Sequence, residues 1–144
     1  MQISTRTRYG VRLLLELAIH YNQGFVQLSE VSRTQNISLK YLEQIIRILK
    51  TAGLVVSQRG AHGGYTLPRK PSQISMLEVV EKLEGSLSLV PCKGKELCSR
   101  VNQCVASVFW STLSESIRKM LESITLGDLV ENLKRLKNQA YYEI

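Results

Sequence analysis

No apolar run in this 144-residue chain approaches the ~18 residues a membrane-crossing helix needs. The opening MQISTRTRYG also lacks the long apolar core of a secretory leader. A soluble, cytoplasmic protein is therefore expected, with no membrane partner and in a compartment that keeps thiols reduced. Histidine is scarce: His20 and His62 are the only two, and neither has evident partners for a catalytic triad. No paired-carboxylate or nucleotide-binding signature appears. The glycine-rich RGAHGGY lacks the Lys-Ser/Thr ending and the following helix of a phosphate loop, and a C-x-x-C redox motif is missing. Repeats and low-complexity tracts are absent as well. Together these absences argue against an enzyme, with a thiol peroxidase or oxidoreductase as the one enzyme-class rival.

Acidic residues are short in one half only. Residues 1–72 carry ten Lys/Arg against three Asp/Glu, whereas residues 73–144 carry nine of each, so the whole +7 excess sits N-terminally. A basic head on a neutral body suggests a polyanion partner for the head and a different task for the body.

The spacing of apolar residues predicts mainly α structure. From Thr5, Tyr9, Val11, Leu14, Leu15, Ala18, Ile19 and Tyr21 recur at helical spacing, with Gly24 as a stop. LSEVSRTQNI reads as a short second helix. Ser38 is a natural N-cap for LKYLEQIIRILKTAG, in which Leu42, Ile45, Ile46 and Leu49 form the buried stripe and Gly53 the stop. LVVSQRG and GYTLP are short β-prone segments joined by GAHGG, a hairpin tip. Three helices followed by a two-stranded hairpin is the order of a winged helix-turn-helix. Ser75 and Glu78 then open a fourth helix as a capping box, and Gly85 closes it. A long helix follows from about Asn102 to about Ser123, with Val105, Val108, Phe109, Leu113, Ile117, Met120, Leu121 and Ile124 as its apolar stripe. Thr125 and Asp128 open a last helix.

The expected fold is thus mainly α with a small β-hairpin wing. Residues 1–72 form a winged helix-turn-helix DNA-binding domain, and 73–144 a cysteine loop (about 86–104) with dimerisation helices. The long helix has more apolar surface than a thin C-terminal half can cover. A homodimer covers it and presents two heads to a palindromic double-stranded operator; the alternative is that the chain's own first helix covers the stripe. In the third helix, Ser38, Lys40, Tyr41, Glu43, Gln44, Arg47 and Lys50 lie outward or lateral. Lys40, Arg47 and Lys50 can neutralise phosphates, Gln44 can bond an adenine edge, and Glu43 can discriminate by accepting from a cytosine amino group. Arg59, at the hairpin, can reach a narrow minor groove.

All three cysteines, Cys92, Cys98 and Cys104, lie in PCKGKELCSRVNQC with five residues between neighbours. A six-residue offset rotates a helical side chain by about 240°, so the first two must lie on an irregular loop. Cys104 is placed to open the long helix, whose N-terminal dipole favours anionic ligands. Three converging thiolates, with Gly94 for flexibility, suit an iron–sulfur cluster or a zinc ion, although the spacing departs from the paired ligands of zinc fingers.

STRTRYGVRLLLELA, ISLKYLEQIIRILKTAGLVVSQRGAHGGYTL, C-x5-C-x5-C and ITLGDLVENL together resemble the IscR-type regulators of the Rrf superfamily, which also holds the NsrR and RirA regulators. The resemblance reaches to about residue 137. It implies a homodimeric transcription factor, a repressor in the first place, that senses iron–sulfur status, redox state or nitric oxide through a cluster on Cys92, Cys98 and Cys104. A [2Fe-2S] cluster is expected ahead of [4Fe-4S]. By the same matching, Ser38, Tyr41, Glu43, Gln44 and Arg59 fall where relatives contact or discriminate DNA. The sequence departs from the family at the fourth ligand. Ser107 stands where some members carry histidine, and Arg8 where others carry an acid. Ser107, Glu96, Asn102, a side chain of the other subunit or an exogenous molecule remain candidates. The alternative reading keeps the DNA binding but uses the cysteines directly as a thiol-redox or zinc site.

Overall fold

The computed structural model describes residues 2–92 and 98–142; Gly94 and Glu96 lie outside the described residues. Helix α1 (Thr5–Ile19) starts at Ser4, whose hydroxyl accepts from the Thr7 N–H. Helix α2 (Leu28–Gln35) ends on Asn36 in the left-handed conformation, and α3 (Leu39–Thr51) is capped by Ser38, which accepts from the Tyr41 N–H. Antiparallel strands β1 (Val56–Gln58) and β2 (Gly64–Thr66) form the wing, with Ser57 opposite Tyr65. After a 3-10 turn at Pro71–Gln73 come α4 (Met76–Glu84), a second such turn at Val101–Gln103, α5 (Val105–Ser123) and α6 (Leu126–Tyr142).

One apolar cluster unites the helices. Leu13, Leu14 and Leu17 of α1, Val31 of α2 and Leu42, Ile45 and Leu49 of α3 meet Val79 and Leu83 of α4 and Leu126 of α6, all essentially without solvent access. The α3 stripe is the expected one. In α1 the buried face is different: Leu13, Leu14, Leu17 and Ala18 are inside, while Leu15 is only half-buried. This helix packs against α3, α4 and α6 at once, so apolar residues occupy most of its circumference and periodicity cannot pick the deepest side. It also ends earlier than Gly24, with His20 as its C-cap.

Two tertiary clips shape the molecule. Val26 exchanges both backbone hydrogen bonds with Tyr65 (2.9 and 2.8 Å), an isolated bridge that ties the wing to the segment before α2. Gly64 makes this approach possible, because its φ is +147° and a Cβ there would lie 2.5 Å from the Val26 carbonyl oxygen. At the other end, Met76 N–H donates to Ile124 O and Leu126 N–H to Ile74 O, both at 2.8 Å, joining the α5–α6 corner to the start of α4. Gly10 lets α1 and α4 close up, since a Cβ there would meet Leu83 at 2.5 Å.

Candidate nucleic-acid interface and cysteine segment

On α3 the 100° step per residue places Lys40, Glu43, Gln44 and Arg47 opposite the buried stripe, and all four are exposed. Ser38 is exposed at the N-terminus of the helix, where its hydroxyl doubles as the cap. Tyr41 is only half-exposed, because its ring meets Tyr9 of α1 edge-to-face with centroids 5.9 Å apart. Arg12 braces this corner from below: its guanidinium lies over Tyr9, 5.4 Å from the ring centre, and donates to Gln35 at the end of α2. The helix-turn-helix is therefore pinned to α1 by aromatic and guanidinium contacts.

Arg59 is exposed at the end of β1, and it shares a groove of about 610 Å³ between α3 and the wing with Leu39, Lys50, Ser57, Gln58 and Tyr65. The exposed face of α3 is thus bordered on this side by two cations, Lys50 and Arg59. On the opposite side, Arg47, Ile48, Thr51 and Ala52 border a second hollow, of about 430 Å³, together with Lys82 of α4. Nothing local in the sequence points to Lys82, since helical periodicity marks it only as a solvent-facing residue of another helix.

The cysteine segment is anchored at both ends. Upstream, the Glu84 carboxylate accepts from the Ser4 N–H (3.2 Å), the Ser4 hydroxyl (2.7 Å) and the buried Thr7 hydroxyl, while Arg6 Nε donates to Leu83 O at 2.8 Å. The Thr7 and Ser4 hydroxyls, with help from Arg6, hold the Glu84 carboxyl below its ordinary range. Downstream, Cys104 is the N-cap residue of α5, yet its side chain makes no capping bond. Ser107, 7% exposed, donates its hydroxyl to Cys104 O (2.7 Å) and reaches Val101 O (3.1 Å), fixing the first turn of α5 to the 3-10 turn before it. Arg8 is exposed and donates to Thr5 Oγ1 at 3.1 Å.

Cys92, Cys98 and Cys104 are all free and half-exposed. As donors they fit a soft metal centre: three thiols in no disulfide, one of them at the end of a helix that favours anions. Among the described residues, however, no three His, Cys, Asp or Glu side chains gather around one point, so the expected convergence of the thiols is absent from this arrangement.

The long apolar stripe of α5 is divided. Ile117, Leu121 and Ile124 are half-covered on the side facing the rest of the chain, whereas Val108, Phe109 and Met120 stay 64, 57 and 64% exposed. Helix α1 does not cover them. No helix among the described residues is long and apolar enough to cross a membrane.

Comparison with known proteins agrees with this architecture. Residues 3–132 match the Rrf2 family, described as iron-dependent transcriptional regulators. The HTH-type transcriptional regulator IscR of Yersinia pseudotuberculosis is 40% identical over 132 residues, covering 92% of this chain and 80% of that protein. The solved structure of T. potens IscR superposes with a TM-score of 0.76 at 37% identity, covering 92% of this chain and 88% of the other. That of CymR, the global cysteine regulator of B. subtilis, gives 0.75 at 33% identity, covering 92% and 98%. With its winged helix-turn-helix fold and this match along nearly its whole length, the chain belongs to the Rrf2 family and is a DNA-binding transcriptional regulator.

Proposed function

We propose that this protein is a cytoplasmic homodimeric repressor that reads a palindromic operator and responds to iron–sulfur status, redox state or nitric oxide. It acts by binding, without catalytic turnover. Residues 1–72 form the DNA-binding head, and residues 73–144 the sensing loop and dimer helices. The observation that carries the reading is the exposed α3 face bordered by Lys50 and by Arg59 of the wing, with three uncommitted thiols on the same chain.

In this reading Lys40 and Arg47 neutralise phosphates, Ser38 and Tyr41 position the helix end, and Gln44 bonds an adenine edge. Glu43 selects a cytosine amino group and Arg59 enters the minor groove. The exposed Val108, Phe109 and Met120 support a second copy as the cover for α5. Leaving such side chains wet forfeits about 25 cal/mol per Å² of apolar area.

Cys92, Cys98 and Cys104 would hold the cluster, a [2Fe-2S] form ahead of [4Fe-4S]. When bound, it supplies an iron–thiolate linkage sensitive to oxidants and nitric oxide. Ser107, Glu96 or Asn102, a side chain of the partner subunit or an exogenous molecule would complete the ligand set. The chain's own residues provide the route from this segment to DNA. Cys92 follows α4, whose Glu84 is tied to Ser4 and Thr7 of α1, and α1 touches α3 through Tyr9 and Tyr41. A second reading, in which the thiols react directly or hold zinc, keeps the same DNA-binding face and is supported by the three free, half-exposed cysteines.

The test is iron and acid-labile sulfide per chain on protein purified without oxygen, followed by operator binding. About two irons and two sulfides, or about four of each, are expected, and Arg59→Ala should weaken binding with loss of minor-groove preference. Zinc alone, or no metal after attempted reconstitution, would retire the cluster in favour of direct thiol chemistry.

A further inference from the structure

We infer that Lys82, on α4, is a DNA-backbone contact that closes the side of the recognition face opposite the wing. The inference rests on the reading that α3 meets DNA, and it extends the interface to a helix that leads into the cysteine segment.

Three observations support it. The first is position. Lys82 is exposed and borders the same hollow as Arg47, Ile48, Thr51 and Ala52 of α3, whereas Lys50 and Arg59 line the groove on the wing side. The exposed face of α3 therefore has cations along both flanks. A helix lying in the major groove has a phosphate strand on each side, so cations at both flanks match the charge it meets.

The second is charge. Helix α4 carries Glu78, Glu81 and Glu84, which would repel a polyanion if left bare. Each is occupied elsewhere: Glu78 by Arg69 at 2.6 Å, Glu81 by Arg118, and Glu84 by Ser4 and Thr7. Lys82 is the one charged side chain of α4 with no hydrogen bond or ion pair among the described residues.

The third is the wall of the hollow. Ile48 and Ala52 contribute apolar surface to the hollow that Arg47 and Lys82 also line. A sugar–phosphate strand offers deoxyribose to such a wall and phosphate oxygens to the two cations. A small anion alone would leave that wall wet.

The experiment compares Lys82→Gln with the parent protein on operator and unrelated duplexes across a series of salt concentrations, with Lys82→Arg and Gln44→Ala beside it. Loss of one phosphate contact should make the slope of log K against log salt shallower by about 0.9. Binding should weaken about threefold to tenfold on both duplexes alike, the uniform loss that a sequence-independent contact gives. Lys82→Arg should restore both quantities, and Gln44→Ala should weaken the operator selectively. An unchanged slope and affinity for Lys82→Gln, with Gln44→Ala still selective, would overturn the Lys82 contact and leave the α3 reading standing. A loss confined to the operator with an unchanged slope would also overturn it, because Lys82 would then act by positioning α3. If neither Gln44→Ala nor Lys82→Gln alters binding, both readings fall.

Discussion

At the scale of single residues, Glu84 ties the end of α4 to the start of α1. Its carboxylate collects the Ser4 and Thr7 hydroxyls and the Ser4 N–H from 80 and 77 residues away. These donors favour the charged form, so the folded-state pKa lies below the ordinary value of 4.5. A depressed pKa means that stabilisation is present in full above 4.5 and is lost as pH falls through the lower folded value. Asp128 behaves in the same sense, since the N–H and hydroxyl of Thr125 hold its carboxyl below 3.8. Glu84→Gln should lower stability at neutral pH by about 1 kcal/mol, and the deficit should shrink as pH falls below 4.5. Urea unfolding across that range checks this; a deficit independent of pH would show that the charge is irrelevant to the latch.

At the scale of elements, the wing depends on a backbone pairing that the hairpin does not itself contain. Val26 pairs with Tyr65 across Gly64, where the backbones come too close for any side chain. Gly64→Ala combines an unfavourable φ of +147° with a collision against the Val26 carbonyl. It should cost about 2–3 kcal/mol, the size of a strained backbone position with a steric contact added. Gly60→Ala, with φ +117° but nothing within 4 Å of its Cβ, should cost less. Denaturant midpoints of the two variants measure the close approach by difference. The same distortion would move Arg59 off its groove, so Gly64→Ala should also weaken operator binding more than Gly60→Ala.

At the scale of the whole molecule, the division of the α5 stripe sets the expected assembly. One side of the helix packs on α4, with Arg118 paired to Glu81 and Ser114 accepting from the Leu89 N–H at 3.3 Å. The other side leaves Val105, Val108, Phe109 and Met120 in solvent. Phe109→Glu with Met120→Glu places two charges on that face without touching the core. Sedimentation should report about half the parent mass, and operator affinity should drop because the two heads are no longer held together. A parent protein that already sediments as a monomer would remove the dimer from the proposal.

Much of this was determined by the sequence alone, because it is written in short-range terms. The α3 stripe of Leu42, Ile45, Ile46 and Leu49, the Ser38 and Ser75 caps and the hairpin after Gly53 all arise from residues within a few positions of one another. The family motifs have the same local character, and the comparisons agree with them. Tertiary structure alone decided the rest. Which side of α1 lies deepest depended on the helices that surround it, and the Val26–Tyr65 pairing on a backbone approach across nearly forty residues. The tie from Glu84 to Ser4 and the place of Lys82 beside Arg47 likewise join residues remote in the chain. Such contacts follow from how packed elements meet, and a single charged residue on a solvent-facing helix carries no local mark of the neighbour it will acquire.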